Sequence, residues 1–224
     1  MLNKIDLLET IEIFQDLTHA EMKDIGQQTV MRTFQAGHLF YMPSDPGEVL
    51  FTLKQGRVQL YRLAPNGRKL VVSILHPGAV FGQMGLVGQH LHRTFAQALE
   101  ECVVCVMSRE EVERLLLEKP QIAIRFLNAL GRRLEEAERR LEEFAFKDVP
   151  TRLAGLLIQL NTEAGGNGTL KGYTHQYLAD MLGTYRETTT QILNEFQQQN
   201  LIRLSRKSIE IVDAVGLETL SSEV

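Results

Sequence analysis

Four side chains late in this 224-residue chain, Arg186, Glu187, Thr190 and Gln191, have the types and spacing of a base-reading set. They fall on the outward, N-terminal part of a helix that starts near Arg186. Arginine can grip guanine O6 and N7 with two parallel bonds, glutamate can accept from cytosine N4, and glutamine can address adenine N6 and N7 or a phosphate. Thr188, the helix N-terminus itself, and Arg203, Arg206 and Lys207 further on suit phosphate oxygens. Thr174 and His175, at the start of the preceding helix, complete the candidate DNA contacts. A second constellation, Phe81-Gly-Gln-Met-Gly-Leu86 with Arg93-Thr94, has the composition of a phosphate cradle. Its small residues let backbone N–H groups approach an anion, and Arg93 with the Thr94 hydroxyl could complete the cradle.

Both sets need elements to hold them. Thr174 can cap a helix over 176–182 that Gly183 closes, and a second helix runs from about Arg186 to Gln199. Leu178 and Leu182 on the first, with Thr189, Ile192, Leu193 and Phe196 on the second, supply an inward face. Two short strands near 201–204 and 209–212 come next, so the pattern predicts a winged helix-turn-helix. From Val30 to about Met107, short apolar segments alternate with turn signals at roughly ten-residue spacing, the pattern of an antiparallel barrel or sandwich. Asn66-Gly67 between Tyr61-Arg-Leu63 and Leu70-Val-Val72 is its clearest hairpin. Thr18-His-Ala-Glu21 and Ser108-Arg-Glu-Glu111 are capping boxes that open helices before and after this region. Ile11, Ile13, Phe14 and Leu17 are expected to pack the first of these helices onto the strand region.

Between barrel and winged helix lies the stretch from Pro120 to Phe146. Ala123, Leu127, Leu130, Leu134, Ala137, Leu141 and Phe144 recur at gaps of four and three, a heptad stripe about 32 Å long. Arg132, Arg133, Glu135, Glu136, Glu138, Arg139, Arg140, Glu142 and Glu143 form a mixed-charge face around it. The stripe predicts a parallel two-chain seam. Phe144 to Asp148 reads as a hinge, because Asp148-Val-Pro-Thr starts a new helix.

Composition bounds the function. The net charge of −4 and pI near 5.9 confine any attraction for an anionic partner to a local patch. From Lys147 on there are seven basic and nine acidic residues, so binding to DNA is expected to be short-range and salt-sensitive. The opening residues lack an uninterrupted apolar run, which argues against a signal peptide or membrane span and for a cytoplasmic protein. Cys102 and Cys105 lie on opposite faces of a strand and read as buried free thiols. No Ser/His/Asp spacing, paired metal ligands or nucleophile motif emerges, so an enzyme is not expected. A regulatory module that docks a protein rather than DNA stays open as the alternative.

Arg186-Glu187-Thr188, Gln191-Ile-Leu, Gln199-Asn-Leu-Ile202 and Phe146-Lys-Asp148-Val resemble the recognition helix and hinge of the CRP/FNR transcription regulators. The resemblance extends over essentially the whole chain. It implies an α+β homodimer with three parts: a double-stranded β-helix or jelly-roll barrel of the cyclic-nucleotide-binding type over 1–119, a dimerisation helix over 120–146, and a C-terminal winged helix-turn-helix over 147–224. It further implies pseudo-palindromic double-stranded DNA and RNA polymerase as partners, with no membrane. The implied mechanism is a population shift. A ligand bridging the barrel's Arg93 to the seam helix favours one placement of two recognition helices about 34 Å apart.

The resemblance also carries departures. Gly82, Arg93 and Thr94 match the family's phosphate-binding cassette, with Met84 inside it. Gln83 replaces the glutamate that holds the ribose hydroxyl, a loss on the order of 1 kcal/mol. Ala137 and Glu138 align with the Thr-Ser pair that contacts adenine in the cyclic-AMP-binding type. Gln191 stands where that type has arginine. Tyr185 replaces a capping serine, for which Thr184 is the local substitute. The effector therefore stays open between cyclic AMP, another cyclic nucleotide or anionic molecule, and none. His90 and His92 raise haem, but their setting is that of solvated loop histidines, and haem is not expected.

Overall fold

The computed structural model describes residues 18, 20, 23, 25, 29–43, 49–83, 94–206 and 208–222. His19 and Glu21 of the first capping box, Ile11 to Leu17, His90 and His92 lie outside the described residues. The chain divides into two compact units, Met1–Leu63 with Val72–Leu134, and Ala64–Val71 with Glu135–Val224.

Strands β1 (Val30–Phe34), β2 (Leu39–Tyr41), β3 (Val49–Gln55), β4 (Val58–Leu63), β5 (Lys69–Leu75), β6 (Val80–Gln83), β7 (Phe95–Ala98) and β8 (Cys102–Ser108) form two four-stranded sheets. Their orders, β1-β8-β3-β6 and β2-β7-β4-β5, are those of a jelly roll. Strand alternation explains the two cores. Leu53 and Val104 face inward with Val58, Leu60, Phe81 and Ala96. Their neighbours Leu50, Cys105 and Met107 face outward, under Val112 and Ile122. Cys102 joins the inner cluster and Cys105 the outer one, so the two buried thiols sit on opposite faces as their spacing requires. The Asn66-Gly67 hairpin forms, closed by Ala64 N donating to the Arg68 carbonyl at 2.8 Å.

Gly56 shows how tightly this sheet is drawn. Its φ is +88°, and a Cβ there would lie 2.4 Å from the Glu101 carbonyl oxygen and 2.8 Å from Cys102 Sγ. Left-handed strain and overpacking add, so Gly56→Ala should destabilise the fold by about 2–3 kcal/mol. Urea denaturation of the two proteins measures this; equal midpoints at equal slope would refute it.

Helix α1 (Arg109–Glu118) opens on the expected capping box: Ser108 Oγ accepts from Glu111 N at 3.3 Å, and Ser108 N donates to the Glu111 carboxylate at 2.6 Å. Helix α2 (Pro120–Phe146) then runs unbroken for 27 residues. The heptad stripe lies open on it, with Leu127 65%, Leu134 60% and Leu141 69% exposed. Around the stripe, Arg139 pairs with Glu136 and Glu143, and Arg140 pairs with Glu136, at 2.6–3.1 Å. These pairs lie within the one helix and contribute a few tenths of a kcal/mol each. The apolar stripe beside them is the part left for a partner.

The second unit contains α3 (Val149–Glu163), β9 (Thr169–Lys171), α4 (His175–Leu182), α5 (Arg186–Gln198), β10 (Ile202–Ser205), β11 (Ser208–Ile211) and α6 (Ala214–Ser221). Asp148 caps α3 by accepting from Thr151 N at 2.9 Å. Helix α2 continues to Phe146, which confines the expected hinge over Phe144–Asp148 to Lys147 and Asp148. The reason is that Lys147 N still donates to the Glu143 carbonyl at 3.0 Å. The wing sheet also differs from expectation. It has three strands in the order β10-β11-β9, because the turns at Gly165 to Gly168 return Thr169–Lys171 antiparallel to β11 and bury Leu170 against Ile209. The core is otherwise the one expected, with Leu178, Leu182, Ile192, Leu193 and Phe196 buried among Leu153, Leu157 and Leu160.

Candidate nucleic-acid interface

Local chemistry fixes where each reading residue stands. Thr174 Oγ1 accepts from Tyr177 N at 3.1 Å and starts α4. Gly183, at φ 65° and ψ 33°, ends it in the left-handed conformation that lets the chain turn sharply into α5. Tyr185 occupies the N-cap of α5 but makes no side-chain cap bond, and Thr184 supplies none in its place. Its ring instead lies 5.3 Å from the guanidinium carbon of Arg68, a residue of the same compact unit. The first turn of α5 thus keeps its N–H groups without a side-chain acceptor.

Thr189, Ile192, Leu193 and Phe196 are buried, which anchors one side of α5 and turns the other outward. Arg186, Glu187, Thr190, Gln191 and Asn194 together line a shallow hollow. Asn194 is the member that sequence reasoning missed. Its spacing of eight from Arg186 and four from Thr190 was the available signal. Within the hollow, Gln191 Nε2 donates to Glu195 Oε1 at 3.0 Å, and Thr190 Oγ1 donates to the Arg186 carbonyl at 2.8 Å. Thr188 is half-buried. His175, at the start of α4, places Nδ1 2.9 Å from Thr190 Oγ1. Burial, and second to it the nearby Arg186 charge, hold the His175 pKa below the ordinary imidazole value.

In the wing, Arg206 is exposed at the turn, while Arg203 pairs with Glu210 at 2.8 Å across the two strands. Lys207 lies outside the described residues.

Of the expected effector contacts, Met84, Arg93 and the Gln83 side chain lie outside the described residues. Gly82 is required by packing: at φ +147° a Cβ would sit 2.3 Å from the Val49 carbonyl oxygen on the paired strand β3. Thr94 is half-buried and hydrogen-bonds the Tyr41 phenol. Burial raises the Tyr41 pKa, against the opposing effects of Thr94 and the Arg133 charge. A threonine hydroxyl and a phenol therefore meet here, and the Arg133 charge acts on the phenol; neither Tyr41 nor Arg133 was legible in the sequence as part of this site. Ala137 and Glu138 are exposed on the part of α2 that belongs to the second unit. Among the described residues, no group of His, Cys, Asp and Glu could hold a metal ion, and no helix is long and apolar enough to cross a membrane.

A jelly roll joined through a long helix to a winged helix with an exposed polar reading face defines a ligand-sensing DNA-binding protein. Residues 31–119 match the cyclic nucleotide-binding domain, and residues 151–220 match the Crp-like helix-turn-helix domain. The sequence is 28% identical over 217 residues to the CRP-like cAMP-activated global transcriptional regulator of Mycobacterium tuberculosis, covering 95% of this chain and 97% of that protein. It is 29% identical over 190 residues to the cyclic AMP receptor protein of Thermus thermophilus, covering 85% and 87%. The fold is shared with the c-di-GMP responsive global regulator CLP of Xanthomonas campestris, with TM-score 0.77, 23% identity, and 87% and 99% of the two chains covered. It is also similar to a Thermus thermophilus regulator of the CRP/FNR family, with TM-score 0.73, 25% identity and the same coverage. This chain belongs to the CRP/FNR family: it is a homodimeric, sequence-specific DNA-binding transcription regulator with a cyclic-nucleotide-type sensor domain.

Proposed function

We propose that Arg186, Glu187, Gln191 and Asn194 read base edges from the major groove, while Thr174, Thr188, Arg206 and Lys207 meet phosphates. One observation carries this reading: the hollow on α5 is lined by polar side chains, and the opposite side of the same helix is sealed into the core. A helix so anchored presents its reading set rigidly, which is what base discrimination needs. Two such helices in a dimer address a pseudo-palindromic site with half-sites about 34 Å apart. The functional parts are the sensor over 1–119, the seam helix over 120–146 and the reading domain over 147–224. The protein works in the cytoplasm without catalysis of its own, and it acts on RNA polymerase.

The sensor takes an anionic effector of the cyclic-nucleotide class, with Gly82 to Met84, Arg93 and Thr94 as its candidate phosphate and sugar contacts and Ala137 and Glu138 as candidate contacts to its base. Thr94 supports this through its hydrogen bond to the Tyr41 phenol, on which the Arg133 charge also acts. Two experiments test the proposal. Selection of duplexes from a random pool should return a two-fold symmetric consensus, and recovery of unrelated sequences would refute the reading face. Calorimetric titration with cyclic AMP, and separately with cyclic GMP, should give saturable heat for at least one; silence with both would exclude this effector class.

A further inference from the structure

The proposed reading face contains a short hydrogen-bond relay whose polarity is dictated by the atoms. Thr190 Oγ1 lies 2.8 Å from the Arg186 carbonyl oxygen and 2.9 Å from His175 Nδ1. A carbonyl only accepts, and a threonine hydroxyl owns one proton, so that proton goes to Arg186. The threonine oxygen is left to accept, and His175 Nδ1 must carry the hydrogen it receives. Thr190 has thus committed its one proton inside the protein and holds His175 in place, which makes it a positioning residue for the ring. In the neutral ring, His175 Nε2 then presents a lone pair, which repels a phosphate oxygen.

The surroundings favour that neutral ring in the free protein. His175 is half-buried, and Arg186, reaching it from α5, adds a like charge. Glu187 stands next to Arg186 on α5, and on α4 itself Asp180 is held by Gln176 Nε2 at 2.8 Å. DNA reverses the balance: its phosphates neutralise the Arg186 field and favour a second N–H on the ring. Resting on the reading face proposed above, we infer that each protomer takes up a proton at His175 Nε2 on binding DNA, making this histidine a phosphate contact that exists only in its charged form.

The sign is set by linkage. The bound-state pKa exceeds the free-state value, so the added affinity is complete below the free-state pKa and is lost as pH rises through the bound-state pKa. Because the free-state value lies below the ordinary imidazole pKa, the window opens below about 6.5.

The test uses the full-length protein and a duplex recovered by selection. Dissociation constants are measured by fluorescence anisotropy at constant salt between pH 5.5 and 8.5 for wild type, His175→Asn and Arg186→Ala. Asparagine keeps a donor for Thr190 but does not titrate. Wild-type affinity should rise about tenfold or more across the window, since one pKa unit per bound proton is tenfold, and His175→Asn should change less than about twofold. Calorimetry in buffers of different ionisation enthalpy should show net proton uptake for wild type alone. Equal pH slopes in wild type and His175→Asn would overturn the inference. So would a flat wild-type profile alongside an Arg186→Ala variant that has lost specific binding, an outcome that leaves the reading face standing. An Arg186→Ala variant that binds like wild type would remove the reading face and the inference together.

Discussion

Arg186→Ala should cost the dimer between about 30-fold and 10⁴-fold in affinity for its selected site, while binding to random duplex changes little. A bidentate arginine–guanine pair contributes about 1–3 kcal/mol of discrimination, and a symmetric site uses two, so the loss is about 2–6 kcal/mol. Arg186 is exposed at the start of α5, and its removal should leave the core around Ile192 and Phe196 intact. The position of the loss matters as much as its size. Specificity should relax at one base pair per half-site, whereas Arg206→Ala, at the wing turn, should weaken all sequences alike and flatten the salt dependence by about one unit per lost phosphate contact. Competition binding against single-base variants of the site separates the two. A uniform loss for Arg186→Ala would reassign it to the phosphate backbone.

The second large effect is expected at the seam. Leu134 is 60% exposed in the single chain, midway along a stripe that includes Leu127 and Leu141. In a parallel pair the two copies of Leu134 bury against one another, each contributing about 1.5–3 kcal/mol. Leu134→Asp removes both and places two like charges together, so dimerisation should weaken by at least about 3–6 kcal/mol, or roughly 10²–10⁴-fold. Affinity for a full site should fall with it, because each winged helix then binds without the effective concentration its twin provides. Sedimentation equilibrium measures the association directly. A variant that stays dimeric at the wild-type concentration would show that the seam lies elsewhere.

How much could be read from residue order alone depended on how local its physical cause was. Ser108 and Glu111, Asp148 and Pro150, and Thr174 and Gly183 announce helix ends, because capping is decided within three or four residues. The long helix and its apolar stripe were legible for the same reason, since the period is written into α2 itself. Strand β9 was not: Thr169-Leu-Lys171 is too short to show alternation, and its pairing with β11 spans some forty positions. Likewise β7, Phe95-Ala-Gln-Ala98, has weak strand propensity and is held by β2 and β4 on either side. At the sites, residue types named Arg186 and Thr94 as candidates. The commitment of Thr190 to Arg186 and His175, and the meeting of Tyr41 with Thr94, depend on distances that no spacing rule contains.

Arg152 gives the junction between the long helix and the reading domain its mechanical character. Its guanidinium carbon lies 4.1 Å from the centre of the Phe144 ring, while one of its nitrogens donates to the Leu182 carbonyl at 3.1 Å. Beside it, Lys147 Nζ reaches the Ser221 carbonyl at 2.7 Å. The two-residue joint is thus braced on both flanks, and the Arg152 side chain ties the last turn of the rod directly to the bend at Leu182 and Gly183 from which α5 sets out.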